Sequence, residues 1–445
     1  MRLSYRNQLP MAMMVAAICA GAASHAYSST KPATEKVTAE QALINKAKGI
    51  HQRVLTLDTH NDIDINNFGF SRNYSQDLDN QVTLPKMISG GLDASFFIVY
   101  TGQSTESDAF EAAGYKRAYD SAVAMFEGIH RMTTVLAPNQ IEFARTVADV
   151  HRIYAKGKKV ALIGVENAYP LGDEKFALKR VKQFHERGAR YMSLAHQGHS
   201  QLSDSNTGEQ IGWKWNGLSP LGKQVITEMN KWGIMVDVSH PSKESMMQTL
   251  AITKAPIIAS HSSVRALCDV SRNMDDEQLL ALKANKGVIQ IVGFNAYLKT
   301  DSAERRAALK ALRSEYQLPE NVSLPAVRRG PVGGISEEQR EVLLKRLAEL
   351  DTKLPPPSRA NVKDLVNHID YAVQKIGIDH VGISSDFDGG GGIDGWNHAG
   401  ETFNVTLELV RRGYTEPHIA KLWSGNLLRV LEEVEKVAKN LQAQK

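Results

Sequence analysis

Eight short runs of apolar and β-branched residues recur along the 445-residue chain, most of them separated by helical patterns, and they constrain the fold more than any other feature. They are Val54 to Asp58, Ala94 to Val99, Val160 to Val165, Tyr191 to Ala195, Ile234 to Val238, Ile257 to Ser260, Val288 to Val292 and Val381 to Ser384. Runs that are continuously apolar suit strands covered on both faces, as in parallel sheets. Amphipathic stretches such as Lys175 to Arg187, Pro220 to Trp232 and Asp275 to Ala284 lie between them. Gly188, Gly233 and Gly287 follow at the helix-stop position. Eight strands alternating with helices predict an α/β fold, a (β/α)8 barrel of TIM type rather than an open sheet.

Two segments fall outside this rhythm. Between Asp301 and Arg359 the chain carries a charged helical pattern, a Pro/Gly-rich turn at Arg329 to Gly334, a second charged helix and Pro355-Pro356-Pro357. It reads as a helical insertion (301–359) after the seventh strand, either a solvated elaboration or a lid over the barrel mouth. At the start, Arg2 and Arg6 precede an apolar run from Pro10 to Ala23, and Ser24-His25-Ala26 offers small residues for cleavage after Ala26. This predicts a signal peptide (1–26), a leader (27–44) and a barrel catalytic domain (45–440) in a secreted or periplasmic protein. Cys19 raises a lipoprotein reading, against which stands Ile18 in place of the small residue that lipidation needs.

Cleavage would leave Cys268 alone, so no intrachain disulfide is expected and stability rests on the core. Loss of Arg2 and Arg6 leaves 51 basic against 49 acidic residues, a net charge of +2, which gives no support for nucleic-acid binding. The segment Glu432 to Lys445 is a polar helical pattern without the apolar tail of a lipid-anchor signal. No membrane anchor is predicted after Ala26.

Chemistry collects at strand ends. His60 and Asp62 follow the first strand, Glu166 ends the third, His240 the fifth and His261 the sixth. In a (β/α)8 barrel the C-terminal strand ends converge on one mouth, which makes neighbours of residues two hundred positions apart. Each has an ordinary reading: a capping turn for His60-Asn61-Asp62, an ion pair with Lys or Arg for Glu166, a hydrogen-bonded strand terminus for His240 and His261. Together they form a metal set. Zinc takes imidazole and carboxylate ligands where thiolates are absent. The five residues fit two zinc ions, one on His60 and Asp62, the other on His240 and His261, with Glu166 bridging. Paired metals about 3.5 to 4 Å apart share a hydroxide, lower its pKa and polarise a carbonyl, which is the hydrolysis of an amide-like bond.

The same rim carries His196 after the fourth strand, Arg272 after the sixth and Asp386 after the eighth. An imidazole, a cation and a carboxylate suit a small zwitterionic substrate. Arg272 would fork onto a carboxylate, His196 would donate to an oxyanion, and Asp386 would handle a proton or face an ammonium. The plainer alternatives are a surface ion pair for Arg272 and a helix cap for Asp386. His199, three residues past His196, reads as a loop histidine.

These residues lie in motifs that, in order, resemble the membrane (renal) dipeptidase family: His60-Asn61-Asp62, Gly164-Val165-Glu166-Asn167, Tyr191 to His196, Asp237-Val238-Ser239-His240, Ser260-His261-Ser262-Ser263, Ser271-Arg272-Asn273 and Gly382 to Gly389. Gly425 to Val430 also looks familiar, so the resemblance spans about Val54 to Val430. It implies two zinc ions held as above, with His196 and Arg272 binding substrate and Asp386 in proton transfer or amine recognition. It further implies a dipeptide substrate, often with a C-terminal D-residue, activity on some β-lactams, and a homodimer. The loop after His196 reads Gln-Gly-His-Ser-Gln-Leu where animal members have a Cys-Asn-x-x-Trp type, and the animal anchor and disulfides are missing. Two other readings compete. One is a metal-dependent amidohydrolase of cyclic amides or nucleobases, a group that more often opens with His-x-His; the other is a catalytically dead exported binding protein.

Overall fold

A computed structural model describes residues 38–103, 107–318, 324 and 335–444. The signal-peptide reading, residues 27–37 of the leader and the turn at Arg329 to Gly334 lie outside the described residues. Among the described residues nine strands form one sheet: β1 (Leu57–Asn61), β2 (Ala94–Tyr100), β3 (Ile141–Phe143), β4 (Lys159–Glu166), β5 (Ala189–Ser193), β6 (Met235–Asp237), β7 (Ile258–Ser262), β8 (Val288–Val292) and β9 (Val381–Ser384). Every pairing is parallel, in the order β1-β2-β4-β5-β6-β7-β8-β9. The ring closes just beyond the first and last strands, where the Asp62 N–H donates to the Phe387 carbonyl at 2.9 Å. The chain thus forms the expected (β/α)8 barrel.

Several boundaries differ from the sequence reading for local reasons. β1 begins at Leu57, because the helix Ala39–Arg53 runs up to Val54, whose N–H caps the Ile50 carbonyl. Val54 and Leu55 are buried as the join between helix and strand, and the polar Thr59, His60 and Asn61 take strand positions instead. His60 is therefore inside the strand, and only Asp62 follows it. β5 and β6 stop at Ser193 and Asp237, so His196 and His240 stand three residues past their strands. At β6 the cause is visible: Asp237 Oδ1 accepts the backbone N–H of Ser239 at 3.0 Å, and His240 then adopts φ of 75°. β3 was not expected; it pairs with the first residues of β4, before β5 takes over at Ile163.

Gly188 and Gly233 end their helices in the left-handed conformation, as expected. Gly287 does not, since Lys286 takes the positive φ, and Gly287 is required for another reason: a Cβ there would lie 2.5 Å from the Ile257 carbonyl oxygen.

Alternation along each strand divides the core. On β2, Phe97 and Val99 join the large cluster shared with the surrounding helices, whereas Phe96 and Ile98 join Leu162, Tyr191, Met235 and Val288 in a second cluster. That second cluster continues into Leu427, Leu431 and Val434 of the helix Asn426–Ala443. Each large apolar side chain buried this way contributes about 1.5–3 kcal/mol. Between β8 and the helix Val362–Ile376, the helices Ala303–Glu315 and Glu337–Lys353 pack through a separate cluster that includes Leu312, Leu343 and Leu347. Among the described residues no helix is long and apolar enough to cross a membrane.

Candidate metal centre and active site

The C-terminal ends of the strands bring His60, Asp62, Glu166, His240, His261 and Asp386 into one cavity of about 290 Å³ or its wall. Glu166, at the end of β4, lies between two sets of donors. Its Oε2 is 3.6 Å from His60 Nε2, which in turn is 3.5 Å from Asp62 Oδ2 and 3.9 Å from Asp386 Oδ1. Its Oε1 is 2.8 Å from His240 Nε2 and 3.4 Å from His261 Nε2, and those two nitrogens are 3.0 Å apart. Among the described residues Glu166 has no Lys or Arg partner, so the ordinary ion-pair reading does not describe it. His60 Nε2 is fully buried, aimed at carboxylates and without a hydrogen-bond partner.

This donor set fits divalent cations. Convergent imidazole nitrogens and carboxylate oxygens form three groups that could hold an ion: His60 with Glu166 and His261, Glu166 with His196 and His240, and His60 with Asp62 and Asp386. Thiolates are absent from all three, which favours a metal of zinc's preferences over a soft one. His196 and Asp386, read from sequence as substrate residues, are thus also within reach of a metal.

Electrostatics point the same way. Burial works against a charge on His60, but Glu166 and Asp62 beside it raise its pKa well above the usual value. Burial would raise Glu166, yet the His60 charge and the imidazoles of His240, His261 and His60 around it hold it well below the carboxylate range. Burial pushes His240 and His261 well down, and the His60 charge at His261 and the neighbouring Arg272 at both add to this. Asp386 is raised well above its usual value by burial, with Asp62 and Glu166 repelling its charge.

The backbone is bent to place these groups. Asn167, His240 and Asp386 have φ of 68°, 75° and 59°, a region that residues other than glycine enter rarely and at a cost of about 1–3 kcal/mol. Gly389 lets the loop after β9 close over the site: a Cβ there would lie 2.2 Å from Asp62 Oδ2 and 2.5 Å from Asp386 Oδ1.

Around the carboxylates stand the groups suited to substrate. Arg272 is buried and bonded only weakly, from Nη1 to Ser262 Oγ at 3.3 Å and from Nη2 to the His261 carbonyl at 3.1 Å. Its Nε finds no partner, and its guanidinium lies 5.1 Å from the Tyr297 ring centre. It makes no ion pair with a described carboxylate, unlike a surface arginine. His196 Nδ1 is 3.2 Å from Tyr100 Oη, and its Nε2 is 3.7 Å from Glu166 Oε1. His199 stays in the loop, with Nδ1 3.0 Å from Asp204 Oδ1 and Nε2 2.8 Å from the Gly212 carbonyl.

Sequence reading missed Tyr100, Phe294 and Tyr297, which line the cavity, and Tyr191, Ser260 and Asp237, which stand behind the histidines. Tyr100 carried a usable signal, since it ends β2 on the same rim. Phe294 and Tyr297 lie beyond β8 in no motif.

Comparison with known proteins adds to this geometry. The family described as membrane dipeptidase (peptidase family M19) matches residues 44–445. Dipeptidase aclJ of Aspergillus oryzae is 29% identical over 413 residues, covering 88% of this chain and 83% of that protein. The probable dipeptidase PvdM from Pseudomonas aeruginosa has a crystal structure that is 34% identical, with a TM-score of 0.75, covering 89% of this chain and 100% of that one. A metallo peptidase from Rhodobacter sphaeroides, solved with a phosphinate mimic of L-Ala-D-Ala, shares the fold at 20% identity, with a TM-score of 0.64 and coverage of 86% and 99%.

Proposed function

The chain belongs to the membrane dipeptidase family, and from that premise we propose that it is a metal-dependent dipeptidase whose centre holds two zinc ions. The observation that carries the reading is the division of Glu166, one carboxylate oxygen toward His60 and Asp62, the other toward His240 and His261. His60 and Asp62 would hold one ion, His240 and His261 the other, and Glu166 both. Two such cations acidify water and polarise a carbonyl.

The protein's own groups do the rest. Arg272 takes the C-terminal carboxylate of the dipeptide, using donors that the fold leaves underused. His196, steadied by Tyr100, donates to the oxygen of the scissile carbonyl as charge develops there. Asp386, kept protonatable by its buried and acidic surroundings, passes a proton to the leaving amine or receives the substrate ammonium. The cavity of about 290 Å³ suits a substrate of two residues. Acceptance of a C-terminal D-residue, export under direction of residues 1–26 and assembly as a homodimer complete the proposal.

Purified protein is expected to carry about two zinc ions per chain and to release amino acids from a panel of L,L and L,D dipeptides. A chelator should abolish the release, and added zinc should restore it. Cleavage confined to cyclic amides would favour the other amidohydrolase class, and metal binding without any hydrolysis would favour a binding protein. Replacing Arg272 by Ala should raise KM about 10- to 100-fold, the worth of a charged hydrogen bond, with metal content unchanged. An undiminished preference for free over amidated C-termini in that variant would rule out the assigned role.

A further inference from the structure

Behind two of the histidines stands a hydroxyl whose hydrogen is already committed. Tyr191 Oη lies 2.9 Å from the Thr59 carbonyl oxygen and 2.9 Å from His60 Nδ1. Ser260 Oγ lies 2.6 Å from Asp237 Oδ2 and 2.8 Å from His261 Nδ1. All of these groups are buried. A carbonyl oxygen can only accept, so Tyr191 donates to Thr59 and its oxygen must accept from His60 Nδ1–H. Asp237 accepts as well: its Oδ1 takes the backbone N–H of Ser239 at 3.0 Å and of Ser260 at 2.8 Å, and its Oδ2 takes the Ser260 hydroxyl. Ser260 Oγ is then left to accept from His261 Nδ1–H.

When either ring is neutral its lone pair is thereby left on Nε2, the nitrogen facing Glu166 at 3.6 Å for His60 and 3.4 Å for His261. His240 has no such backing, since its Nδ1 finds no partner. Even the space for the phenol is arranged on the strand that carries Glu166: a Cβ at Gly164 would lie 2.1 Å from Tyr191 Cζ.

We propose that Tyr191 and the Ser260–Asp237 pair are positioning residues that fix His60 and His261 as Nε2 donors, with one lock on each side of Glu166. Tyr191 serves the His60–Asp62 position, and Ser260 serves the His240–His261 position. The consequence for metal rests on the two-ion reading above; the direction of the hydrogen bonds does not.

The test uses the full chain with Tyr191→Phe, Ser260→Ala, Ser260→Thr and Asp237→Asn. Asp237→Asn is the sharpest because it keeps shape. The two backbone N–H groups hold the amide oxygen in place, so the amide nitrogen faces Ser260 and donates to it. The serine hydrogen, displaced from residue 237, is then free to turn to His261 Nδ1, and where it does the ring proton moves to Nε2. Long-range 1H–15N spectra of the metal-free protein, recorded above the pH at which His60 loses its second proton, should show Nδ1–H tautomers for His60 and His261 in the wild type. Asp237→Asn should show Nε2–H for His261, and Tyr191→Phe should disturb His60 more than His261, whose partner Ser260 also neighbours the Tyr191 hydroxyl. In competition against a chromophoric chelator, Tyr191→Phe, Ser260→Ala and Asp237→Asn should each lose about 10- to 100-fold in zinc affinity at one of two positions, and Ser260→Thr should restore it. An Nε2–H tautomer in the wild type overturns the proposal, as does unchanged affinity in folded Asp237→Asn or equal weakening of both positions by every variant. Wild-type protein with the stated tautomers but a single zinc site supports the locks and sinks the two-ion reading.

Discussion

Replacing Glu166 by Gln is expected to lower kcat/KM by at least about 1,000-fold, about 4 kcal/mol of lost transition-state stabilisation, and to empty both metal positions together. The substitution preserves volume, so the consequence follows from charge and polarity alone. An amide has one acceptor oxygen, whereas Glu166 presents acceptors to His60 on one side and to His240 and His261 on the other. Whichever way the amide turns, it aims an N–H at one set of ligands. Elemental analysis after dialysis, beside steady-state kinetics, decides the matter; a variant that keeps its full metal complement would show that Glu166 does not join the two sets.

Asp386→Asn is expected to behave differently, with kcat reduced about 100- to 10,000-fold, the usual worth of a general acid, while metal content stays near that of the wild type. Asparagine tolerates the left-handed backbone that residue 386 adopts at φ of 59°, so the loop should hold its course. What disappears is a carboxyl able to gain and lose a proton. Asp386 Oδ1 is 3.9 Å from His60 Nε2, close enough that metal analysis is the informative control. Loss of an ion in Asp386→Asn would turn this residue from proton carrier into ligand.

Much of this was legible in the chain because the two strongest signals are local. Val288 to Val292 and Val381 to Ser384 are β-branched runs with definite ends, and they form β8 and β9 with those bounds. Glu166, His240 and His261 could be brought together in advance because a barrel gathers its strand ends, whatever the sequence distance. The reading failed where neighbours decide. Val54 and Leu55 look more like strand than Thr59 and His60 do, but barrel contacts accommodate the polar pair: Thr59 Oγ1 donates to the Ser260 carbonyl at 2.7 Å, 201 residues away. Tyr191 and Ser260 were invisible as functional residues for a related reason. A tyrosine in a strand or a serine before a histidine is unremarkable until the acceptor behind it is known.

The seam between the first and last strands also bears on how the molecule comes into being. Asp62 meets the Phe387 carbonyl across 325 positions of chain, and the centre needs groups from both sides of that junction. Contacts so remote must be reached against loop-closure entropy, which local contacts largely escape. A chain whose ring is incomplete therefore keeps these ligands apart, and capture of a cation is expected to accompany completion of the ring.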